Sequence, residues 1–245
     1  MSQSTTSSPP LTVVLVHGAF ADSSSWSGVI ERLKAKGVSV VAAANPLRGI
    51  SVDSAYVAML IQQIPGRVLA VGHSYGGAVI SNAAADAGNV VGMVFVAAFA
   101  PDEGERLGDV TAASKDSFLG SALVPQQYPS NGTTTTEFTL DTAKARDAFA
   151  ADLSEAQAAL IGVIQRPVSE LAFSEPSGAP AWRRLPSWAV VATNDRAAGN
   201  RCGARARRAG RSTDHRGRRL PPDHGLEAGR RRRGDRGGNR QGRLR

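Results

Sequence analysis

Short apolar runs alternate with stretches of helical spacing along the first half of the chain. "TVVLV" (Thr12–Val16) is mostly β-branched, the pattern of a strand covered on both faces. Residues 25–36 then place Trp26, Val29, Ile30 and Leu33 on one helical face. "VSVVAA" reads as a second strand and residues 53–64 as a helix with Asp53 as its N-cap. "RVLAVG" is a third strand, and a helix of small residues follows Ser74. "VVGMVFVAAF" is a fourth strand. Strands that alternate with helices need right-handed crossovers, so the pattern predicts an α/β fold built on a mostly parallel, doubly wound sheet.

Residues 102–179 break this rhythm. Polar helical stretches such as "DTAKARDAFAADLSEAQAALIGVI" and Pro/Gly/Ser-rich joins predict a helical insertion that forms a lid over one end of the sheet. "PSWAVVATND" (Pro186–Asp195) restores a sheet strand. After Gly199 neither hydrophobic period survives. The expected division is a disordered lead-in over 1–10, one domain over 11–199 with its lid at about 102–179, and an irregular, disordered tail over 200–245.

Charge sharpens that boundary. The net charge is +8, yet 16 arginines and 4 acidic residues fall after Gly199, which leaves 13 basic and 17 acidic residues in 1–199. The body is therefore mildly acidic and offers no basic face for a nucleic acid. Cys202 is the single cysteine, which excludes an internal disulfide and fits a reducing compartment. The start has no basic n-region, and no apolar run reaches the ~20 residues of a membrane span. A cytoplasmic protein without membrane attachment is expected.

Gly72-His73-Ser74-Tyr75-Gly76 follows a strand and precedes a helix, the context that G-x-S-x-G requires. The sharp turn lifts the Ser74 hydroxyl above the sheet beside a helix N-terminus, where developing negative charge is favoured. Val16-His17-Gly18-Ala19-Phe20 follows the first strand. His17 reads as a structural, hydrogen-bonded histidine, and the N–H groups of Ala19 and Tyr75 as the oxyanion donors. Asp195 lies just past a late strand, where a triad acid belongs, although an Asp there also suits a turn. The order Ser, then Asp, then a later His is the one this motif set carries. No metal-ligand cluster and no phosphate loop competes, so neither metal nor cofactor is expected.

"TVVLVHGAF…SSSW", "VLAVGHSYGGAVI", "VFVAAFAPDEGE" and "PAWRRLPSWAVVATNDRAA" together resemble the α/β-hydrolase superfamily over roughly residues 11–199. Within it the chain is most similar to bacterial carboxylesterases related to salicylate-type methyl esterases and hydroxynitrile lyases. The resemblance implies Ser74 as nucleophile, Asp195 as triad acid and a small ester as substrate, cleaved through an acyl-enzyme. Lyases of that group tend to carry Thr after the first-motif His. Gly18 stands there instead, which favours ester hydrolysis over carbon–carbon cleavage. A cofactor-free perhydrolase and a non-catalytic receptor on the same scaffold are further alternatives.

The family pattern also wants a Gly-Ser/Asp-His after a final strand. Only His215 and His224 remain, with no strand expected before either, and His224 after Asp223 is the one candidate base. A change of reading frame near Gly199 accounts for the whole tail. Residues 213–227, back-translated and shifted by one base, can read "PTTEVDGSHLIMVS", a strand, a histidine turn and an apolar follow-on. Arg, Gly, Ala and Pro are what GC-rich DNA yields off frame. Nonspecific nucleic-acid binding is the rival use for the tail, but it has no Phe, Tyr or Trp to stack on bases.

Overall fold

The computed structural model describes residues 9–114, 117–192, 195, 197 and 211–214. The central strands are β1 (Leu11–Val16), β2 (Ser39–Ala43), β3 (Arg67–His73) and β4 (Val90–Val96). Between them run α1 (Ser27–Ala35), α2 (Ile50–Gln62) and α3 (Tyr75–Asp86). The insertion contributes α4 (Leu107–Ala112), α5 (Leu119–Ala122), β5 (Leu123–Ser130), β6 (Thr133–Leu140), α6 (Ala145–Phe149), α7 (Glu155–Ile164), β7 (Val168–Ser169) and α8 (Leu171–Ser174). Then β8 (Ser187–Val191) and β9 (Arg211–Asp214) complete the sheet.

Six strands lie in the order β2-β1-β3-β4-β8-β9, every neighbouring pair parallel. From β1 the chain steps to β2 on one side and then to β3 on the other. The switch point, where an open α/β sheet binds its ligands, therefore falls between the carboxyl ends of β1 and β3. One face packs α2 and α3 on Val14, Val16, Val68, Ala70 and Phe95. The other buries Val13, Leu15, Val71 and Trp26, with Ile30 and Leu33 of α1 packed against them. Val29, expected on that face, is exposed.

Three sequence expectations change. First, α2 begins at Ile50 rather than at Asp53, and Gly49 is its N-cap with φ 139°. Glu175 accepts from the Ser51 N–H at 3.0 Å, which serves the helix start and frees Asp53 for a buried role.

Second, the lid is only partly helical, because β5, β6 and β7 form an antiparallel sheet. Asn131 (φ 49°) and Gly132 (φ 78°) turn the β5–β6 hairpin, the two positive φ values of a type I′ turn. Arg48, on the loop before α2, holds this sheet to the body. Its Nη1 lies 2.6 Å from Glu137 Oε2, and its guanidinium sits 4.5 Å over the Tyr128 ring.

Third, the region after Gly199 is not without regular structure. β9 pairs with β8 from Trp188↔Arg211 to Val191↔Asp214, so a strand does precede His215. Trp188 (41% exposed) and Val190 (37% exposed), on one side of β8, are only partly covered.

Candidate active site

β3 ends at His73, and Ser74 turns the chain into α3 with φ 50° and ψ −121°. A serine in this region costs about 1–3 kcal/mol and persists only where its surroundings dictate it. Here they do. The Ser74 N–H donates to Val96 O at 3.3 Å, and its carbonyl accepts from the N–H groups of Gly77 (3.0 Å) and Phe99 (3.1 Å). Gly72 is required for a steric reason, since a Cβ there would lie 2.5 Å from Gly76 O. Among the described residues the Ser74 hydroxyl has no hydrogen-bond partner.

The loop after β1 lies directly against this turn. A Cβ on Gly18 would meet Ser74 Cβ at 2.8 Å and His73 O at 3.1 Å, so only glycine lets the two segments approach this closely. Ala19 is buried, and Phe20 behind it takes φ 61° and packs edge-on against Phe149 at 6.2 Å. Neither the Ala19 nor the Tyr75 N–H donates to another described residue.

Two histidines flank the turn. His17 is buried, and its Nδ1 lies 2.9 Å from Gly18 O, a bond that requires the Nδ1–H tautomer. Its Nε2 is buried with no partner among the described residues. Burial pushes the His17 pKa down, and the bond to Gly18 only partly offsets this. His73 keeps part of its surface open, but the protein packed around the ring, Trp26 edge-on at 6.3 Å included, lowers it to about 4. Both rings are thus neutral near pH 7.

Tyr75 is fully buried, and its hydroxyl donates to Asp53 Oδ2 at 2.8 Å. Asp53 also accepts from the Arg48 N–H at 3.0 Å. This buried pair under the elbow has no short-range signature in the sequence. The two residues stand 22 apart, and only the packing of α2 on α3 brings them together.

Asp195 follows β8, which is separated from β3 only by β4. The three strand ends are tied edge to edge: Ala97 N–H donates to Val190 O at 2.8 Å beside the Ser74–Val96 bond. Ser74 and Asp195 therefore stand at the same carboxyl edge of the sheet. Asp195 Oδ1 accepts from the Ala197 N–H at 2.9 Å, so the residue also shapes its own turn. His224 and His215 lie outside the described residues.

A cleft of about 340 Å³ runs between the β1 loop and α7, lined by Phe20, Phe149, Leu153, Leu160 and Ile161. Among the described residues no group of three or more His, Cys, Asp or Glu side chains could hold a metal ion. No helix among them is long and apolar enough to cross a membrane.

Solved structures share this fold. The solved structure of a polyneuridine aldehyde esterase superposes with a TM-score of 0.68 at 18% identity, covering 84% of this chain and 92% of its own. A methylesterase from Arabidopsis gives 0.63 at 16% identity, with 84% and 91% covered. A pyrethroid hydrolase from Sphingobium faniae gives 0.65 at 16% identity, with 83% and 88% covered. No curated protein matches the chain. The sequence profile of the alpha/beta hydrolase family matches residues 13–228, nearly the whole chain, and the protein belongs to that family.

Proposed function

We propose that this protein is a serine hydrolase of small carboxylic esters that retains its nucleophile and oxyanion donors but has lost its general base. The observation that carries this reading is the strained Ser74 (φ 50°) at the tip of β3 with Gly18 pressed against it. That arrangement has no structural purpose that an unstrained turn would not serve better. The reading is further supported by the Ala19 and Tyr75 amides, which have no acceptor among the described residues and so suit the binding of an oxyanion.

In the complete reaction a histidine takes the Ser74 proton as Oγ attacks the ester carbonyl. The oxyanion is held by the N–H groups of Ala19 and Tyr75, and the alcohol leaves with the proton. Water then repeats the sequence on the acyl-enzyme. Asp195 orients the histidine. His17 and His73 do not supply the base: the first turns Nδ1 to Gly18 O, and burial leaves the second a feeble proton acceptor. Gly18 in place of Thr favours hydrolysis over carbon–carbon cleavage. The esterase activity named for the related structures points the same way.

The general base belongs to the tail, where the reading frame has shifted near Gly199. The partial exposure of Trp188 and Val190 supports this, because they occupy a face that a helix covers in a doubly wound sheet. His224, after Asp223, and His215, directly after β9, are the candidate bases in the chain as it stands. The basic tail is then a consequence of the frame and not a nucleic-acid arm.

The test compares p-nitrophenyl acetate hydrolysis by this chain with that of a chain whose frame is restored by one base after the Gly199 codon. The restored chain turns over through Ser74, and the present chain is slower by up to about 10⁶-fold, the cost of losing a triad histidine in a related mechanism. Brisk Ser74-dependent turnover by the present chain refutes the loss of the base. A restored chain with no ester turnover refutes the esterase reading.

A further inference from the structure

We infer that Ser117 is a positioning residue that latches the lid to the turn carrying Asp195. The inference rests on the reading of Asp195 as triad acid. Ser117 Oγ donates to Ala197 O at 2.5 Å across 80 residues of sequence. The N–H of the same Ala197 donates to Asp195 Oδ1 at 2.9 Å. Both polar backbone groups of Ala197 are therefore committed, one to the lid and one to the carboxylate.

The chain of contacts has a physical consequence. Loops at the rim of an α/β sheet are the least constrained part of the fold, yet a triad acid must hold its histidine to within a fraction of an ångström. The Asp195–Ala197 bond is local to the turn, within two residues of sequence. The Ser117 bond adds an attachment from a distant element, which restricts rotation of the turn as a unit. Ser117 is itself held from behind, since its N–H reaches the carbonyl of the buried Ser114 at 3.5 Å, and the Ser114 N–H donates to Thr111 O at 2.9 Å. The latch thus leads back into α4.

Ser117 also stands on the wall of a lid cavity of about 410 Å³, with Thr111, Leu123, Phe138 and Phe173. That lining suits a neutral apolar group, such as the acyl or alkyl part of an ester. A group that fills the cavity meets the latch directly, so the lid that would select the substrate is the same element that steadies the acid.

The full chain, labelled with nitrogen-15, tests this without requiring activity. In the parent protein the Ala197 amide should be protected from hydrogen exchange. Ser117→Ala should speed Ala197 exchange about fivefold, the worth of one ordinary hydrogen bond. Ser117→Thr, which keeps the hydroxyl, should restore the protection.

The Val14 and Val71 amides of the central sheet are the reference. Unchanged Ala197 exchange in Ser117→Ala overturns the assignment, and so does a Ser117→Thr variant that fails to restore it. So does equal acceleration at Val14 and Val71, because the effect is then global. Full ester turnover by an Asp195→Asn variant of the frame-restored chain would refute Asp195 as triad acid and leave the latch standing.

Discussion

The Tyr75 hydroxyl donates to Asp53 Oδ2 at 2.8 Å, and both residues are fully buried beneath the turn that presents Ser74. Burial raises the Asp53 pKa, against the bonds from Arg48 N–H and Tyr75 OH, which lower it. The native state consequently binds the Asp53 proton more tightly than the unfolded chain, whose carboxyl titrates near about 3.9. The stability that this proton contributes is fully present below that value and is lost as pH rises through the folded pKa. Urea midpoints of the parent and Asp53→Asn proteins should therefore diverge, the parent losing ground as pH rises from 3.5. Parallel curves would remove Asp53 from the pH dependence.

Gly18→Ala tests the contact between the β1 loop and the nucleophile turn. The new methyl would lie 2.8 Å from Ser74 Cβ, a distance that backbone must yield to relieve. Overpacking of this kind costs about 1–3 kcal/mol. Displacement of the reacting atoms by about 1 Å costs about 10²-fold in rate. Both the denaturation midpoint and the ester turnover of the frame-restored chain should fall. Gly88→Ala, where nothing lies within 4 Å, is the control and should leave both in place.

The parts of this molecule that announce themselves in the sequence are those built from local pattern. Continuous apolar runs mark β1 and β3 because a strand covered on both faces has no polar side to show. Gly72 and Gly18 mark the site because backbone approaches backbone there. The β5–β6 hairpin carried a local signal too, in Asn131-Gly132 and the threonine run after it, but the helical spacing on either side dominates the insertion. β9 is different in kind. "RSTD" has no apolar alternation, and its place in the sheet comes from pairing with β8. Asp53 under Tyr75, and Ser117 against Ala197, are joined across 22 and 80 residues, where no sequence period reaches.

Arg48 and Glu137 make a third long-range tie, and its loss should loosen the lid alone. Glu137 is buried, while the Arg48 side chain is 36% exposed, so solvent screens part of the pair. Arg48→Met leaves the Glu137 carboxylate without its charged partner and removes the cation from the Tyr128 ring. The expected cost is about 1–2 kcal/mol, well under that of a fully buried pair. Hydrogen exchange should speed in β5 and β6 and stay unchanged in β1 and β3. Equal acceleration in all four strands would show that the lid sheet does not open as a separate unit.

His73 gives acid conditions a defined point of attack. Burial lowers its pKa from the usual 6.5 to about 4, and His17 close by adds to the shift. A folded-state value below the unfolded one means that the native protein binds the proton more weakly. The stability attached to the neutral ring is complete above about pH 6.5 and is lost as pH falls towards 4, a difference of up to about 3 kcal/mol. Asp53 acts with the opposite sign, since it becomes less costly as it takes up its proton, so the parent curve is the sum of two opposed slopes. Single variants separate them. His73→Gln should flatten the loss between pH 6.5 and 4, whereas Asp53→Asn should leave the parent's loss in that window steeper. If His73→Gln keeps the parent's slope, the imidazole is not what acid attacks, and the buried His17 becomes the group to replace next.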